Sequence, residues 1–191
     1  MKLRRALGVL VAIAITGGAM AVAGTEKPAF QYVGVAKCRR CHTSSKIGGQ
    51  YKVWLESKHA HAFIALASDS AKAIAARKNV ADPQKAAECL QCHVTGYGEP
   101  AEHFATARAD SEGVGCESCH GAGSGYWTKV KMQEIRSGKS KPETYGLSMP
   151  TKETCAKCHN EKSPAGTFVT WPADSARIAH PIPKGYKSDT D

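Results

Sequence analysis

The distribution of hydrophobic and polar positions along this chain predicts short helices separated by irregular segments. In residues 50–67 (QYKVWLESKHAHAFIALA) the apolar side chains recur at roughly helical spacing, which predicts one amphipathic helix. Ser68 and Asp69 can cap a second helix, which we expect to end at Asn79. The lead-in at 24–37 contains proline and glycine, and these residues argue against regular structure there.

The second half of the chain continues this pattern of short helices. Residues 128–137 predict a helix that Gly138 ends, and a linker rich in Gly, Ser, Lys and Pro follows at 138–150. Thr151 is placed to cap the next helix, and a last short helix is expected at 173–179.

The N-terminal residues have the composition of a secretory signal peptide. A basic start is followed by an apolar run over 6–15 and by small residues up to Ala23, where we expect cleavage. The run is shorter than the ~20 apolar residues that span a bilayer, which disfavours a retained anchor. The sequence therefore predicts a signal peptide at 1–23, and a periplasmic or extracellular chain, 24–191, without stable membrane insertion.

All eight cysteines fall into four copies of the pattern Cys-x-x-Cys-His. The cysteine pairs are Cys38 and Cys41, Cys89 and Cys92, Cys116 and Cys119, and Cys155 and Cys158, and the histidines that follow them are His42, His93, His120 and His159. Two thiols at this spacing can form thioethers to the two vinyl groups of one porphyrin, while the next residue supplies a proximal imidazole. Zinc sites and disulfide scaffolds do not need that repeated histidine. The pattern predicts four covalently bound haem c groups, with their iron.

The chain is short for so many haems. After removal of the predicted signal peptide, about 42 residues remain for each haem, and aromatic residues make up only 7% of the sequence. A chain of this size cannot also bury a conventional core. We therefore expect one tetrahaem domain over 24–191, mainly α with much irregular structure, in which stacked haems form the core. Because the second and third motifs begin only 27 residues apart, at Cys89 and Cys116, we also expect haems 2 and 3 to be neighbours.

Four histidines lie outside the motifs and are candidates for the distal side of the irons: His59, His61, His103 and His180. Their number matches four bis-histidine haems, although one open haem and one idle histidine would give the same count. On a helix His59 and His61 diverge by about 200°, so they either serve two haems or only one of them is a ligand. Met132 offers a thioether, but a methionine in such a helix is more often a packing residue.

The charge of the chain bears on its partners. The formal charge of +9 falls to +6 (9 − 3) when the predicted signal peptide and its three cations are removed. Haem propionates bring this near zero in the holoprotein. Lys and Arg are spread along the chain, and with the export signal this argues against nucleic acid. The cations are left to neutralise propionates, to meet an acidic redox partner or to form an ordinary solvated surface.

Several stretches resemble the tetrahaem c-type cytochromes of the c-554 type, which accept electrons from hydroxylamine oxidoreductase in nitrifiers. The matching pieces are the Lys-Cys-x-x-Cys-His start at 37–42, Trp54, Lys58-His59-Ala60, CHVTGYG at 92–98 and GVGCESCHGAG at 113–123. The resemblance implies a compact, mainly helical fold with haems in closely stacked pairs. It also implies that His59 is the distal ligand of haem 4 and that His180 is that of haem 3.

The resemblance leaves haems 1 and 2 as special cases. Haem 2, with proximal His93, is the family's candidate for an open or weakly closed iron. A family member carries the distal histidine of haem 1 shortly after the third motif, but this sequence has no histidine from Gly121 to Pro150. His61, His103, Met132 or a histidine from another subunit can fill that position.

Three functions are compatible with these features. The leading hypothesis is an electron carrier that exchanges electrons with redox partner proteins, because a bis-histidine iron has no position for a substrate. The first alternative is an enzyme in which an open haem 2 converts a small nitrogen or sulfur oxide. The second is a homo-oligomeric haem filament whose subunits donate a histidine across their interface.

Overall fold

The computed structural model describes residues 29–164, 166 and 168–180. The predicted signal peptide lies outside these residues. The described part contains nine short α-helices: α1 (Val35–His42), α2 (Gln50–Leu55), α3 (Ala62–Ala65), α4 (Asp69–Arg77), α5 (Ala87–His93), α6 (Cys116–His120), α7 (Lys129–Arg136), α8 (Lys152–Ala156) and α9 (Ala173–Ala176). Single 3-10 turns at 45–47, 101–103, 110–112, 123–125 and 142–145 connect them.

The expected fold class, mainly α with much irregular structure, is confirmed. Residues 29–164 and 168–180 form no strand, and their one isolated β-bridge joins Tyr32 to Phe104. The Tyr32 N–H donates to the carbonyl of His103 at 2.8 Å, and its carbonyl accepts from the Ala105 N–H at 2.9 Å. No helix in the part of the chain that the structure describes has the length and apolar character needed to cross a membrane.

The single helix predicted over 50–67 is wrong, because the chain turns between α2 and α3. At this turn the carbonyl of His59 accepts a hydrogen bond from the Val114 N–H at 3.0 Å. Gly113 permits the close approach: its φ is 63°, and a Cβ there would lie 2.7 Å from the His59 oxygen. A tertiary contact with the segment before the third motif thus interrupts a pattern that is locally helical.

The other helix predictions agree better with the structure, and their caps are in place. The Ser68 hydroxyl accepts from the Ala71 N–H at 3.2 Å at the start of α4, and Thr128 caps α7 in the same way. Thr151 and Thr154 form a reciprocal capping box on α8. That helix ends at Ala156, so the second cysteine and the histidine of the fourth motif follow it in a turn.

The hydrophobic core of the described residues is small. Its central cluster consists of Leu66, Leu90 and Val94, and the partly buried Phe63 and Tyr97 pack against it. No described side chain is completely excluded from solvent. Apolar contacts between side chains therefore supply little of the burial that a domain of this length needs.

A buried carboxylate connects the N-terminal segment to α6. Glu117 is only 4% exposed and accepts three backbone N–H groups, from Val33 at 2.9 Å, Gly34 at 2.8 Å and Gly123 at 2.6 Å. Burial raises the pKa of Glu117, although the three donors act in the opposite direction. Glu112 accepts the next donor, the Val35 N–H, at 3.0 Å. The two carboxylates accept hydrogen bonds at the N-terminus of α1. Their negative charge also interacts favourably with the positive end of the helix dipole.

We predict that Glu117→Ala lowers the free energy of unfolding by about 3 kcal/mol, because three donors lose their acceptor. Glu117→Gln keeps one acceptor oxygen and should cost roughly half as much. Urea unfolding of the holoprotein, followed by far-UV circular dichroism, measures both. Glu161→Ala, at an exposed site, serves as the control and should change stability by less than about 0.5 kcal/mol. Equal stability of Glu117→Ala and the control would contradict the role assigned to Glu117.

Candidate haem sites

Each Cys-x-x-Cys-His motif presents its three functional side chains on one side of a helical turn. In α1, α5 and α6 the two cysteines and the histidine occupy positions i, i+3 and i+4, which share a helix face. The fourth motif keeps this arrangement beyond the end of α8, because the His159 N–H donates to the Cys155 carbonyl at 2.9 Å. All eight cysteines are free thiols, as thioether formation requires.

Three of the four motif histidines are oriented by a hydrogen bond at Nδ1. The partner of His42 is the Gln50 side-chain oxygen at 3.1 Å, that of His93 is the Ala62 carbonyl at 2.6 Å, and that of His120 is the Ser148 carbonyl at 3.0 Å. The Gln50 amide nitrogen in turn donates to the carbonyl of Ile47. A ring that donates from Nδ1 presents the lone pair of Nε2, the arrangement that metal-binding histidines use. The sequence alone does not identify these three acceptors, because no motif marks them.

His59 lies opposite the histidine of the fourth motif. The ring centroids of His59 and His159 are 6.0 Å apart, and the ring planes are nearly perpendicular at 83°. With a metal–nitrogen bond of about 2 Å and a ring centre about 1 Å behind the nitrogen, two imidazoles on one metal ion stand about 6 Å apart. Burial, and then the charge of His159, lowers the pKa of His59. A lowered pKa favours the neutral imidazole that binds metals.

His180 occupies the equivalent position at the third motif. Its ring centroid lies 5.8 Å from that of His120, with an angle of 48° between the planes. The pKa of His120 is lowered, mainly by burial. The spacing is again that of two imidazoles on opposite sides of one metal ion.

The other two candidate distal histidines are placed differently. His61 is exposed, and its ring makes no hydrogen bond and no ring contact within the described part of the chain. Nδ1 of His103 contacts the carboxylate of Glu99 at 2.7 Å, and its side chain is 27% exposed. Among residues 29–164 and 168–180, no histidine ring lies opposite His42 or His93.

Close thiols connect motifs that are distant in the chain. The neighbouring Cys116 thiol, followed by burial, raises the pKa of Cys38. Burial, followed by the neighbouring Cys92, raises the pKa of Cys158 to about 12. The first motif therefore adjoins the third, and the second adjoins the fourth. The proximity of haems 2 and 3 stays a prediction; the Thr95 hydroxyl, two residues after the second motif, lies 2.9 Å from the Ser118 hydroxyl inside the third.

The donor set in these sites fits haem c. Each motif supplies two thiols for thioether bonds and one imidazole, and in two of the four a second imidazole lies at the distance that an axial pair requires. The thiol pKa values apply to the chain before haem attachment, since a thioether does not titrate.

Comparison with known proteins gives a consistent result. Residues 37–121 match the family described as cytochrome c554 and c-prime. Cytochrome c-554 of Nitrosomonas europaea is 29% identical over 171 residues, which cover 83% of this chain and 69% of the relative. No solved structure shows significant similarity to the chain. The repeated haem-attachment motif, the helical fold and these matches agree, and they indicate a c-type cytochrome similar to the cytochrome c-554 family, whose members carry covalently bound haem and function in electron transport.

Proposed function

We propose that this protein is a tetrahaem electron carrier that works outside the cytoplasm, in the periplasm or beyond it. The mature protein is one domain, 24–191, released by removal of 1–23. Four attachment motifs support the number of haems, and the observation that carries the carrier function is the pair of facing histidines at each of two motifs. Redox partner proteins supply and remove the electrons, and neither nucleic acid nor membrane insertion is involved.

The histidine pairs support two imidazole ligands for each of two haems. His159 and His59 would hold haem 4, and His120 and His180 would hold haem 3. The ring of His120 is fixed by the Ser148 carbonyl, so its Nε2 can face the distal ring. When bound, haem supplies one-electron chemistry between the ferric and ferrous states. With two imidazoles bound, the iron has no position for a substrate, and this suits electron transfer better than catalysis.

The other two haems have a proximal histidine and no assigned distal one. For haem 1, bound through His42, the distal candidates are His61, His103, Met132 and a histidine from a second copy of the chain. For haem 2, bound through His93, the Ala62 carbonyl fixes the ring, and no described histidine lies across from it. This arrangement favours a second candidate function, conversion of a small nitrogen or sulfur oxide at an open haem 2.

We predict that the mature protein begins at residue 24 and carries four haems. Intact-mass spectrometry of the secreted holoprotein should give the mass of 24–191 plus four haem groups. Replacing both cysteines of one motif by serine should reduce the count by one, because both thioethers of that haem are lost. Replacing Ser44 and Ser45 by alanine should leave the count at four. A wild-type count other than four would contradict the assignment.

We expect His59→Ala to turn one haem in four high-spin, because the iron loses its second imidazole. The EPR and visible spectra of the oxidised protein measure the change. Lys58→Ala, at the exposed neighbouring position, is the matched control and should keep the wild-type spectrum. His180→Ala should convert a different haem, so the double variant should show two more high-spin irons than the wild type. A His59→Ala spectrum identical to that of the control would remove His59 from the ligand set.

Ligand binding to the reduced protein distinguishes the carrier from the enzyme. If the haem 2 iron is open, carbon monoxide or nitric oxide should bind at no less than one per protein, and this should appear in the difference spectrum. If His61 or His103 is the distal ligand of an iron, replacing it by alanine should add one binding site for carbon monoxide or nitric oxide. If it is not a ligand, the number of sites should stay unchanged. A monomer that is entirely low-spin and binds neither gas would exclude the enzyme and leave the carrier.

A further inference from the structure

The positive charge of the chain is concentrated in one segment. Residues 37–58 contain six cations and one acid, for a formal charge of +5 (6 − 1). The six cations are Lys37, Arg39, Arg40, Lys46, Lys52 and Lys58, and the acid is Glu56. The whole of 24–191 carries +6, so all its other residues together contribute +1 (6 − 5). The net charge of this segment is high because six bases share it with a single acid.

None of these cations forms an ion pair with another residue that the structure describes. Every ion pair formed between described residues lies outside 37–58, as for Lys72 with Asp69 and Lys131 with Glu134. Like charges therefore stand together in this segment, as they also do at 129–141, where five cations and one acid give +4 (5 − 1). Such a cluster repels itself and produces a positive potential in the surrounding solvent.

Four of the cations are exposed and lie on or between two helices that pack together. We call Arg39, Arg40, Lys46 and Lys52 the basic face. The Arg39 guanidinium on α1 lies 5.9 Å from the ring of Tyr51, the residue that precedes Lys52 on α2, and the two helices are in contact. Lys37 is directed elsewhere, because its ammonium lies 4.8 Å from the Trp127 ring.

The basic face surrounds the first haem-attachment motif. Arg39 and Arg40 are the two residues between Cys38 and Cys41, and Cys41 is the one exposed cysteine of the eight. Positive charge around an exposed haem-attachment site attracts a partner of negative charge. Such complementarity steers the partner to the redox centre.

We propose that the basic face is the docking surface for an acidic electron-transfer protein, which exchanges electrons beside the first motif. The inference rests on the proposed carrier function and adds the site of docking and the chemical class of the partner. One electron passes between the partner's redox centre and this protein, and no bond forms or breaks. The attraction is between carboxylates of the partner and the cations of the basic face, so salt should weaken it.

The test uses a plant-type [2Fe–2S] ferredoxin as the acidic probe. The variant Lys46→Glu with Lys52→Glu changes the charge by four without altering the motif or the Arg39 contact. Lys139→Glu with Lys141→Glu, at exposed positions in the linker, makes the same charge change elsewhere. Binding of the oxidised ferredoxin to each oxidised holoprotein is measured by calorimetry at low salt, so that no electron moves. Reduction rates by the reduced ferredoxin are measured separately.

We expect the basic-face variant to raise the dissociation constant about tenfold or more and to lower the bimolecular reduction rate by a similar factor. The linker variant should stay within about threefold of the wild type. In roughly 1 M salt, where the Debye length is about 3 Å, all three proteins should react alike. The neutral variant Lys46→Gln with Lys52→Gln should fall between the wild type and the charge reversal, which excludes misfolding as the cause.

Other outcomes would overturn the proposal. Equal loss in the basic-face and linker variants would mean that net charge acts without a local docking surface. Unchanged ferredoxin binding, with shifted haem potentials in the basic-face variant, would assign the cations to haem propionates. Unchanged ferredoxin binding, with lost binding to phosphatidylglycerol vesicles or DNA, would assign them to a membrane or a nucleic acid. Failure of the carrier function itself can be distinguished from failure of the docking proposal. In that case the haems of the wild-type protein would not be reduced and reoxidised even with small reductants.

Discussion

The structure depends on hydrogen bonds between the carboxylate of Glu117 and backbone donors from distant parts of the chain. Its oxygens accept N–H groups from Val33 and Gly34, before the first motif, and from Gly123, after the third. Because Glu117 lies between the two cysteines of the third motif, this contact holds the helix of the first motif against that of the third. Burying a carboxylate is costly, and the three donors offset that cost. The same contact brings the thiols of Cys38 and Cys116 close together.

A similar dependence on distant chain segments governs the histidine pairs. His59 comes from the turn between α2 and α3, one hundred residues before His159, and His180 approaches His120 from the last described residues. The turn at His59 exists because its carbonyl pairs with the Val114 N–H, and Gly113 leaves room for that approach. The backbone contact that interrupts the predicted helix therefore also sets the position of a candidate ligand.

Among its described residues this small multihaem protein has few buried apolar side chains, and much of its net positive charge lies in one segment. With few buried apolar side chains, the described residues depend on backbone hydrogen bonds, caps and buried carboxylates for their order. Over the rest of 24–191 the charges of acids and bases almost cancel in sum, whereas the first motif lies in a segment whose cations form no ion pair with a described residue. An electron carrier needs a rigid interior and a transient surface contact. This chain separates the two, with the carboxylates inside and the basic face outside.

The sequence by itself determined the attachment chemistry, because thioether formation and proximal ligation need only a local spacing of cysteine and histidine. It also predicted the mainly helical class and the caps at Ser68 and Thr151, since these depend on neighbouring residues. Only the tertiary structure decided which motifs adjoin, where the 50–67 segment breaks and which free histidines meet a motif histidine. Those features depend on contacts between residues far apart in the chain, such as Glu117 with Val33 and His59 with Val114. Local periodicity carries no information about such contacts.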